Sequence, residues 1–184
     1  VLTSAQVAAL STTQLSSLTN AQISALSATG VSGIGAAQIG ALSTAQLSAL
    51  SPTQMGALSG TAIAGLSASQ FASLSSAQFR SLSDTGITGL SATQISELSS
   101  SQIGLLSATE LRGLTPAQVA ALSVGQLGAL TGAQVGALSS SGVSGLSAAQ
   151  IGALSSTQFA SLTADEISGL TRTQIGYLST SQVS

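Results

Sequence analysis

Leucine recurs at every eighth position of this chain. The series begins at Leu2, continues through Leu10 and Leu18, and reaches Leu178 without an insertion or a deletion. Among its 23 positions only Ile34 is not leucine, and isoleucine is also aliphatic. Three further columns are almost as regular, so the chain is an octapeptide of the form L-[S/T]-x-x-Q-[I/V]-x-[A/G/S] copied in tandem. A strict short period of this kind is typical of a solenoid or array.

The octad that begins at Leu114 has the residues that start an α-helix. The hydroxyl of Thr115 can accept a hydrogen bond from the first helical turn, as an N-cap does. Gln118 follows three residues later, where its side chain can accept the N–H of the cap residue and complete a capping box. Leu114 and Val119 have the spacing of a hydrophobic staple. Pro116 stands at the first helical position, where its missing N–H costs nothing.

The other octads repeat this signal in three columns. The cap column is Ser or Thr everywhere except at Gly35. The box column is Gln at 17 of 23 positions, with Glu110 and Glu166 at two others. The staple column is apolar from Val7 to Val183. Four of the five acids fall in a first helical turn, where the helix dipole favours negative charge; they are Asp84, Glu110, Asp165 and Glu166.

A single continuous helix does not fit the eight-residue period. Eight residues at ~100° each rotate the leucine side by ~80° per octad, so the apolar residues would wind around the helix. A β-solenoid is the alternative that remains, because short repeats rich in Ser, Thr and Val often build one. However, the leucine and staple columns are separated by odd numbers of residues, which puts them on opposite faces of a strand. We therefore expect an all-α solenoid with one very short capped helix per octad.

Helices this short are unstable in isolation, so each must bury its leucine and its staple residue against neighbouring helices. The columns after the staple hold small residues such as Gly40 and Ala41, which allow helices to approach closely. Larger residues in those columns are expected at wider or outward-facing points of the coil. These residues are Arg80, Glu97, Leu105, Arg112 and Tyr177.

A longer period overlies the octad. Glycine replaces the box glutamine at Gly30, Gly86 and Gly142, and each of these is seven octads from the next. Duplication of a seven-octad block explains this spacing. Alternatively, seven octads complete a whole number of turns, so that these octads stack in a line. We also hypothesise that the glutamines, besides completing the capping boxes, form amide hydrogen bonds between neighbouring coils.

Side chains that carry chemistry are few. The chain has no His and no Cys, the usual ligands of zinc, copper and haem. Met55 is in the staple column and is expected in the core. Asp165 and Glu166 resemble the start of a metal or acid–base site, but both lie in a first helical turn, where they complement the dipole. Serine needs a base to act as a nucleophile, and none is spaced to serve. We predict no catalytic, cofactor-binding or metal-binding residue, no cofactor and no enzymatic activity.

Charge is sparse along the whole chain. Charged residues make up 4% of the sequence and the net charge is -2. All the positive charge comes from Arg80, Arg112 and Arg172, which is too little for a nucleic-acid footprint. Ser or Thr interrupts nearly every octad, so no apolar run approaches the ~20 residues that cross a bilayer. We expect no nucleic acid, no membrane insertion and no small-molecule substrate.

The unit L-[S/T]-x-x-Q-[I/V]-x-A-L resembles the octapeptide arrays of very large bacterial secreted or surface proteins. Such proteins are often described as adhesin-like, haemagglutinin-like or haem-utilisation proteins. The resemblance covers essentially all 184 residues. It implies an extracellular or cell-surface location and a structural use. The lack of His and Cys argues against a haem-binding role for this segment.

The sequence thus predicts one continuous octapeptide-repeat solenoid over residues 1–184. Because the chain opens in mid-octad at Val1, we expect it to be a fragment of a longer array. The expected function is a rod, stalk or fibre segment of a bacterial extracellular or surface protein. Self-association, end to end or laterally, is the expected partnership and would produce filaments. The alternative is a flat Ser/Thr-rich module, formed by the two positions after each cap, that binds ice, glycans or another surface.

Overall fold

The computed structural model describes residues 2–182. In that range every helix is an α-helix of four to six residues, one in each octad from Leu2 to the octad of Leu170, and no strand is present. The predicted all-α solenoid of short helices is therefore confirmed, and the β-solenoid alternative is wrong. Val183, the last residue of the predicted staple column, lies outside the described residues.

The chain divides into two compact units, Val1–Leu90 and Ser91–Ser184. Unit 1, described from residue 2 onward, contains eleven helices. They are α1 (Ser4–Ala8), α2 (Thr12–Ser16), α3 (Asn20–Ser24), α4 (Ala28–Val31), α5 (Ala36–Gly40), α6 (Thr44–Ser48), α7 (Pro52–Gly56), α8 (Gly60–Ile63), α9 (Ala68–Ser73), α10 (Ser76–Arg80) and α11 (Asp84–Thr88).

Unit 2, described as far as residue 182, contains eleven more helices of the same kind. They are α12 (Ala92–Glu97), α13 (Ser100–Ile103), α14 (Ala108–Arg112), α15 (Pro116–Ala120), α16 (Val124–Gly128), α17 (Gly132–Val135), α18 (Ser140–Ser144), α19 (Ala148–Ala153), α20 (Ser156–Ala160), α21 (Ala164–Ser168) and α22 (Arg172–Ile175). That the units form one continuous solenoid over 1–184 stays a prediction.

The helices begin as the sequence predicts, with reciprocal capping boxes. In α15 the Thr115 hydroxyl accepts the Gln118 N–H at 3.3 Å, and Gln118 Oε1 accepts the Thr115 N–H at 2.7 Å. Complete boxes occur in 17 of the 22 described helices. In α5 only half is possible, because Gly35 has no hydroxyl; its N–H still donates to Gln38 Oε1 at 2.7 Å. A cap of this kind stabilises a helix start by ~1 kcal/mol.

Each described helix ends one to three residues before the aliphatic residue that opens the next octad, and α19 ends directly before Leu154. The N–H of Leu154 donates to the carbonyl of Ile151 at 3.2 Å, which closes the last turn of α19. Leu154 itself is extended, with φ -62° and ψ 131°, and so is the following cap Ser155. Two extended residues therefore turn the chain into the next helix. No described residue has a positive φ, so the corner needs no left-handed glycine.

Within each unit, a helix packs on the helix three octads away in the chain. In unit 1, α1 packs on α4 and α5 on α8; in unit 2, α15 packs on α18. Some of these approaches are close enough to require glycine. A Cβ on Gly145, at the end of α18, would overlap the carbonyl oxygen and Cα of Pro116 in α15. At Gly152, by contrast, a Cβ would meet no atom within 4 Å.

The leucine and staple columns form the core of each unit. Ile23, Met55 and Ile95 are fully buried, as are Phe71 and most other staple residues. Fully burying one such side chain contributes ~1.5–3 kcal/mol, which compensates for the instability of a helix of five residues. Met55 therefore packs as core, as predicted.

The large residues in the small-residue columns mostly face outward. Arg80, Glu97, Arg112 and Tyr177 are exposed, which confirms the expectation for them. Leu105 is half-buried and packs partly against the coil.

Candidate functional site

The glutamine of the box column joins successive coils as well as capping its own helix. In unit 2, Gln126 Oε1 accepts the N–H of Ser123 at 2.7 Å. Its Nε2 donates to the carbonyls of Ile95 at 2.9 Å and of Leu98 at 2.7 Å. Gln126 is only 2% exposed. One side-chain amide thus accepts an N–H at the start of its own helix and donates to carbonyls at the end of a helix in the coil before it.

This arrangement repeats as a ladder with a constant step of 28 residues. Within the described parts of the two units, eleven glutamines donate to the carbonyl of the leucine 28 positions earlier, at 2.6–3.0 Å. Most also donate to the staple carbonyl 31 positions earlier. The ladder glutamines are Gln38, Gln46, Gln54, Gln70, Gln78, Gln126, Gln134, Gln150, Gln158, Gln174 and Gln182. The hypothesis of amide bonds between coils is confirmed, and the acceptors are backbone carbonyls.

The step fixes the number of octads in a turn. A glutamine reaches 28 residues back, while backbones pack on the helix three octads away. One turn of the coil therefore contains about three and a half octads, and seven octads make two turns. In unit 1, Gly30 and Gly86 are seven octads apart and thus lie on the same side of the coil. This supports stacking of the glycine octads within that unit.

The ladder provides hydrogen-bond donors for carbonyl groups at helix ends. The last carbonyls of an α-helix have no partner inside the helix and must find one elsewhere when they are buried. Here the glutamine amide of the next coil supplies the missing donor. Within residues 2–182 no buried side-chain nitrogen or oxygen lacks a hydrogen-bond partner. Each ladder glutamine therefore supplies the polar group that the previous coil requires.

Four octads lack the ladder amide because their box residue has no side-chain donor. These are the octads of Gly30, Ala62, Gly86 and Gly142. At Gly30 a Cβ would lie 2.8 Å from the Leu2 carbonyl oxygen, and at Gly86 it would overlap the side chain of Ile63. At Gly30 and Gly86 the backbone is thus too close to the previous coil for a larger side chain, whereas at Gly142 a Cβ would lie 3.5 Å from the Leu114 carbonyl oxygen, an ordinary contact.

Two further octads have glutamate in the box column. Glu166 is 6% exposed, and its Oε2 accepts the N–H of Thr163 at 2.6 Å. An ionised carboxylate completes the box but has no hydrogen to donate to the previous coil. Asp165 lies exposed in the same first helical turn. The pair is thus arranged for helix capping and dipole complementation, as the sequence indicated.

The surface of the described residues offers little that could hold a ligand. No group of three or more acids within residues 2–182 is placed to hold a metal ion. A shallow open depression of about 490 Å³ lies in unit 1 between α8 and α11. Small residues line it, where the octads of Ala62 and Gly86 stack: Ser59, Gly60, Thr61, Ala64, Thr85 and Gly89.

Sequence reasoning missed the step of the ladder, although a signal for it was present. The seven-octad spacing of Gly30, Gly86 and Gly142 is twice that step. What the sequence does not contain is the number of turns in seven octads, because two or three turns both repeat after that length. The reach of the glutamine side chain decides it.

Comparison with known proteins gives one match. The model of the ALTTAQ repeat family matches residues 31–60, 108–140 and 133–164. No curated protein and no solved structure matches the chain. Among the described residues no helix has the length and apolarity needed to cross a membrane. The chain is a tandem-repeat protein with similarity to ALTTAQ repeats in those three stretches.

Proposed function

We propose that this chain is a structural repeat segment that forms a rod, stalk or fibre of a bacterial extracellular or cell-surface protein. The glutamine ladder is the observation that supports the proposal most. Each octad with a ladder glutamine contributes the same capped helix and the same kind of bond to the coil before it. Repeat arrays of this type gain stability from contacts between neighbouring repeats, so length can be added without any new design.

The same proposal holds that the chain is not an enzyme and binds neither nucleic acid, nor membrane, nor a small-molecule substrate. Many of its polar side chains form hydrogen bonds with its own backbone. Cap hydroxyls accept helix N–H groups, and ladder amides are bonded on both sides, as Ser123 and Gln126 illustrate. Such side chains are positioned to hold a scaffold together.

The rod is tested by measuring how size grows with repeat number. Packed helices are separated by ~9 Å, so each added turn of 28 residues should lengthen the coil by ~9 Å. Two copies fused in octad register should double the largest dimension in small-angle X-ray scattering and leave the cross-section unchanged. A fused chain that instead folds back into a compact particle would contradict the proposal.

A cell-surface or secreted location is tested separately, by fractionating cells that express the gene from which the segment comes. Recovery of the protein in the medium or on the cell surface, accessible to added protease, is the expected result. Recovery only from the cytoplasm would contradict that part of the proposal and leave the rod untouched.

The second candidate function is a flat Ser/Thr-rich face that binds ice, glycans or another surface. It is favoured by one observation: the second helical position is exposed in every described octad. The residues at this position vary, however, from Thr13 to Ala37 and Gly125. Thermal hysteresis of the purified chain, or its retention on a glycan array, would support this function. Loss of that activity when Thr13, Thr61 and Thr109 become alanine would place it on this column.

A further inference from the structure

Glu166 occupies a ladder position of unit 2 with a carboxylate in place of the amide. Its Oε2 accepts the N–H of Thr163 at 2.6 Å, as the Oε1 of a ladder glutamine accepts its cap N–H. In the described part of the chain no donor reaches the other carboxylate oxygen, Oε1. The residue is as buried as most ladder glutamines. Oε1 keeps some contact with water, because no fully enclosed side-chain oxygen of residues 2–182 lacks a partner. A carboxylate that is more than nine-tenths buried thus has one oxygen without a protein partner.

The next octad of the chain shows where this oxygen is directed. There Gln174 Nε2 donates to the carbonyl of Leu146 at 2.6 Å and to that of Ser144 at 3.1 Å. These acceptors are 28 and 30 positions before the glutamine. A carboxylate is planar like an amide, so a capping box made by Oε2 directs Oε1 as Nε2 is directed in Gln174. The Oε1 of Glu166 therefore faces the two corresponding carbonyls of the previous coil.

Those carbonyls belong to Gly136 and Leu138, which follow the end of α17. No donor within residues 2–182 reaches either of them. The last carbonyls of a helix carry partial negative charge. Neither α17 nor α18, which packs on α21, contains a charged residue, so no side chain of these helices neutralises the carboxylate. Three oxygens therefore converge without a hydrogen or a positive charge among them.

Such a set of oxygens is suited to a hard cation. Calcium binds carboxylate oxygens, backbone carbonyls and water at about 2.3–2.6 Å, and it tolerates irregular geometry. Two oxygens bound to one calcium ion at right angles lie ~3.4 Å apart. This separation is close to the 2.6 and 3.1 Å that the ladder amide of Gln174 spans to its carbonyls. A small movement of the carboxylate would thus accommodate the ion.

We propose that Glu166 and the carbonyls of Gly136 and Leu138 bind a calcium ion that joins two successive coils of unit 2. The ion makes the link that an amide makes in octads with a ladder glutamine, and Oε2 continues to accept the N–H of Thr163. Water completes the coordination shell where Oε1 contacts solvent. With a single carboxylate the dissociation constant is expected at about 10⁻⁴–10⁻³ M, the range of weak calcium sites. The sequence did not predict this role for Glu166, and the role does not depend on the rod.

Urea unfolding of the 184-residue chain, with a chelator or with about 10 mM calcium at constant ionic strength, tests the site. For a dissociation constant of ~1 mM, calcium at that concentration should raise the folding equilibrium constant of wild type about tenfold. Magnesium requires near-ideal octahedral geometry and gives up its water reluctantly, so its effect should be much smaller.

Two variants separate the site from a general effect of charge. Glu166→Gln should be more stable than wild type in chelator, because it restores the ladder donors, and its gain from calcium should be less than about twofold. Glu97→Gln removes the same charge at an exposed position of unit 2 and should retain the tenfold gain. Carbon-13 resonances of the Gly136 and Leu138 carbonyls should shift with calcium in wild type and in Glu97→Gln, but not in Glu166→Gln.

An equal calcium gain in wild type and Glu166→Gln, or carbonyl resonances that do not respond, would overturn the proposal. So would a wild-type chain that calcium leaves unchanged and mild acid stabilises, because a proton would then replace the ladder hydrogen. None of these results affects the length doubling expected of the fused chain, so the rod is tested separately.

Discussion

Replacing Gln126 by alanine removes the ladder bond at one position and leaves the rest of its octad in place. Three short hydrogen bonds are lost: one from the N–H of Ser123 to Oε1, at 2.7 Å, and two from Nε2 to the carbonyls of Ile95 and Leu98, at 2.9 and 2.7 Å. A fourth, longer bond from Nε2 to the Ser96 carbonyl, at 3.4 Å, is lost with them. The perturbation is therefore a test of how much the contact between coils contributes.

The magnitude follows from the count of bonds and from burial. A net hydrogen bond contributes ~0.5–1.5 kcal/mol, and a buried group left without a partner costs ~1–3 kcal/mol. Gln126 is 2% exposed, so water reaches the vacated groups poorly and the upper part of the range applies. We expect Gln126→Ala to lower the free energy of unfolding by about 3–4 kcal/mol.

The assay is urea unfolding followed by circular dichroism at 222 nm, with Ser123→Ala as the control in the same octad. That control removes only the hydroxyl that accepts the Gln126 N–H at 3.1 Å, and should cost ~1 kcal/mol. Gln126→Glu keeps the box acceptor but has no donors, so its cost should be close to that of alanine. Equal losses for Gln126→Ala and Ser123→Ala would refute the view that the ladder stabilises the coil beyond its capping role.

Three further predictions concern packing and the ladder. Gly145→Ala should lower the free energy of unfolding by ~1–3 kcal/mol, because the new methyl group overlaps the previous coil. Gly152→Ala should raise it by ~0.5–1 kcal/mol, because the new methyl group meets no atom within 4 Å and alanine favours a helix. Thermal denaturation of both variants tests these two predictions. Glu166→Gln should raise the urea midpoint by the equivalent of ~1–2 kcal/mol because it restores two donors, and an unchanged or lower midpoint would contradict this. Ile95→Ala should cost ~2–5 kcal/mol as a buried staple residue, while Ile175→Ala should cost far less because it is half exposed; similar losses in calorimetry would contradict the assignment of the core.

Much of the local structure was predictable because each octad contains the residues that start its own helix. The pair Thr115 and Gln118 fixes where a helix begins, and Pro116 fits only the first helical position. The burial of Met55 follows from its column alone. The helix starts depend on residues within five positions of one another, and such local interactions can be predicted from a single sequence.

The stacking of coils was not predictable to the same degree, because it depends on contacts between residues about 28 positions apart. The sequence indicated that Gln126 was needed for a box, but not that its Nε2 would reach Ile95 and Leu98. The need for glycine at Gly145 also arises only from the approach of Pro116 in another coil. A repeat sequence thus predicts the structure of one octad, whereas the number of octads per turn is determined by side-chain contacts between coils.

The step of the coil is measured most directly by the distance between two spin labels placed two turns apart. Ser96 and Gly152 are exposed, lie in unit 2 and are separated by seven octads, and the chain has no native cysteine. With cysteine-attached nitroxides at both positions, electron–electron double resonance should give a distance of ~20 Å, two packed-helix separations. A continuous helix would place the labels ~84 Å apart. A single narrow distance near ~20 Å is the predicted result, and a distance beyond about 40 Å would contradict a coil of three and a half octads per turn.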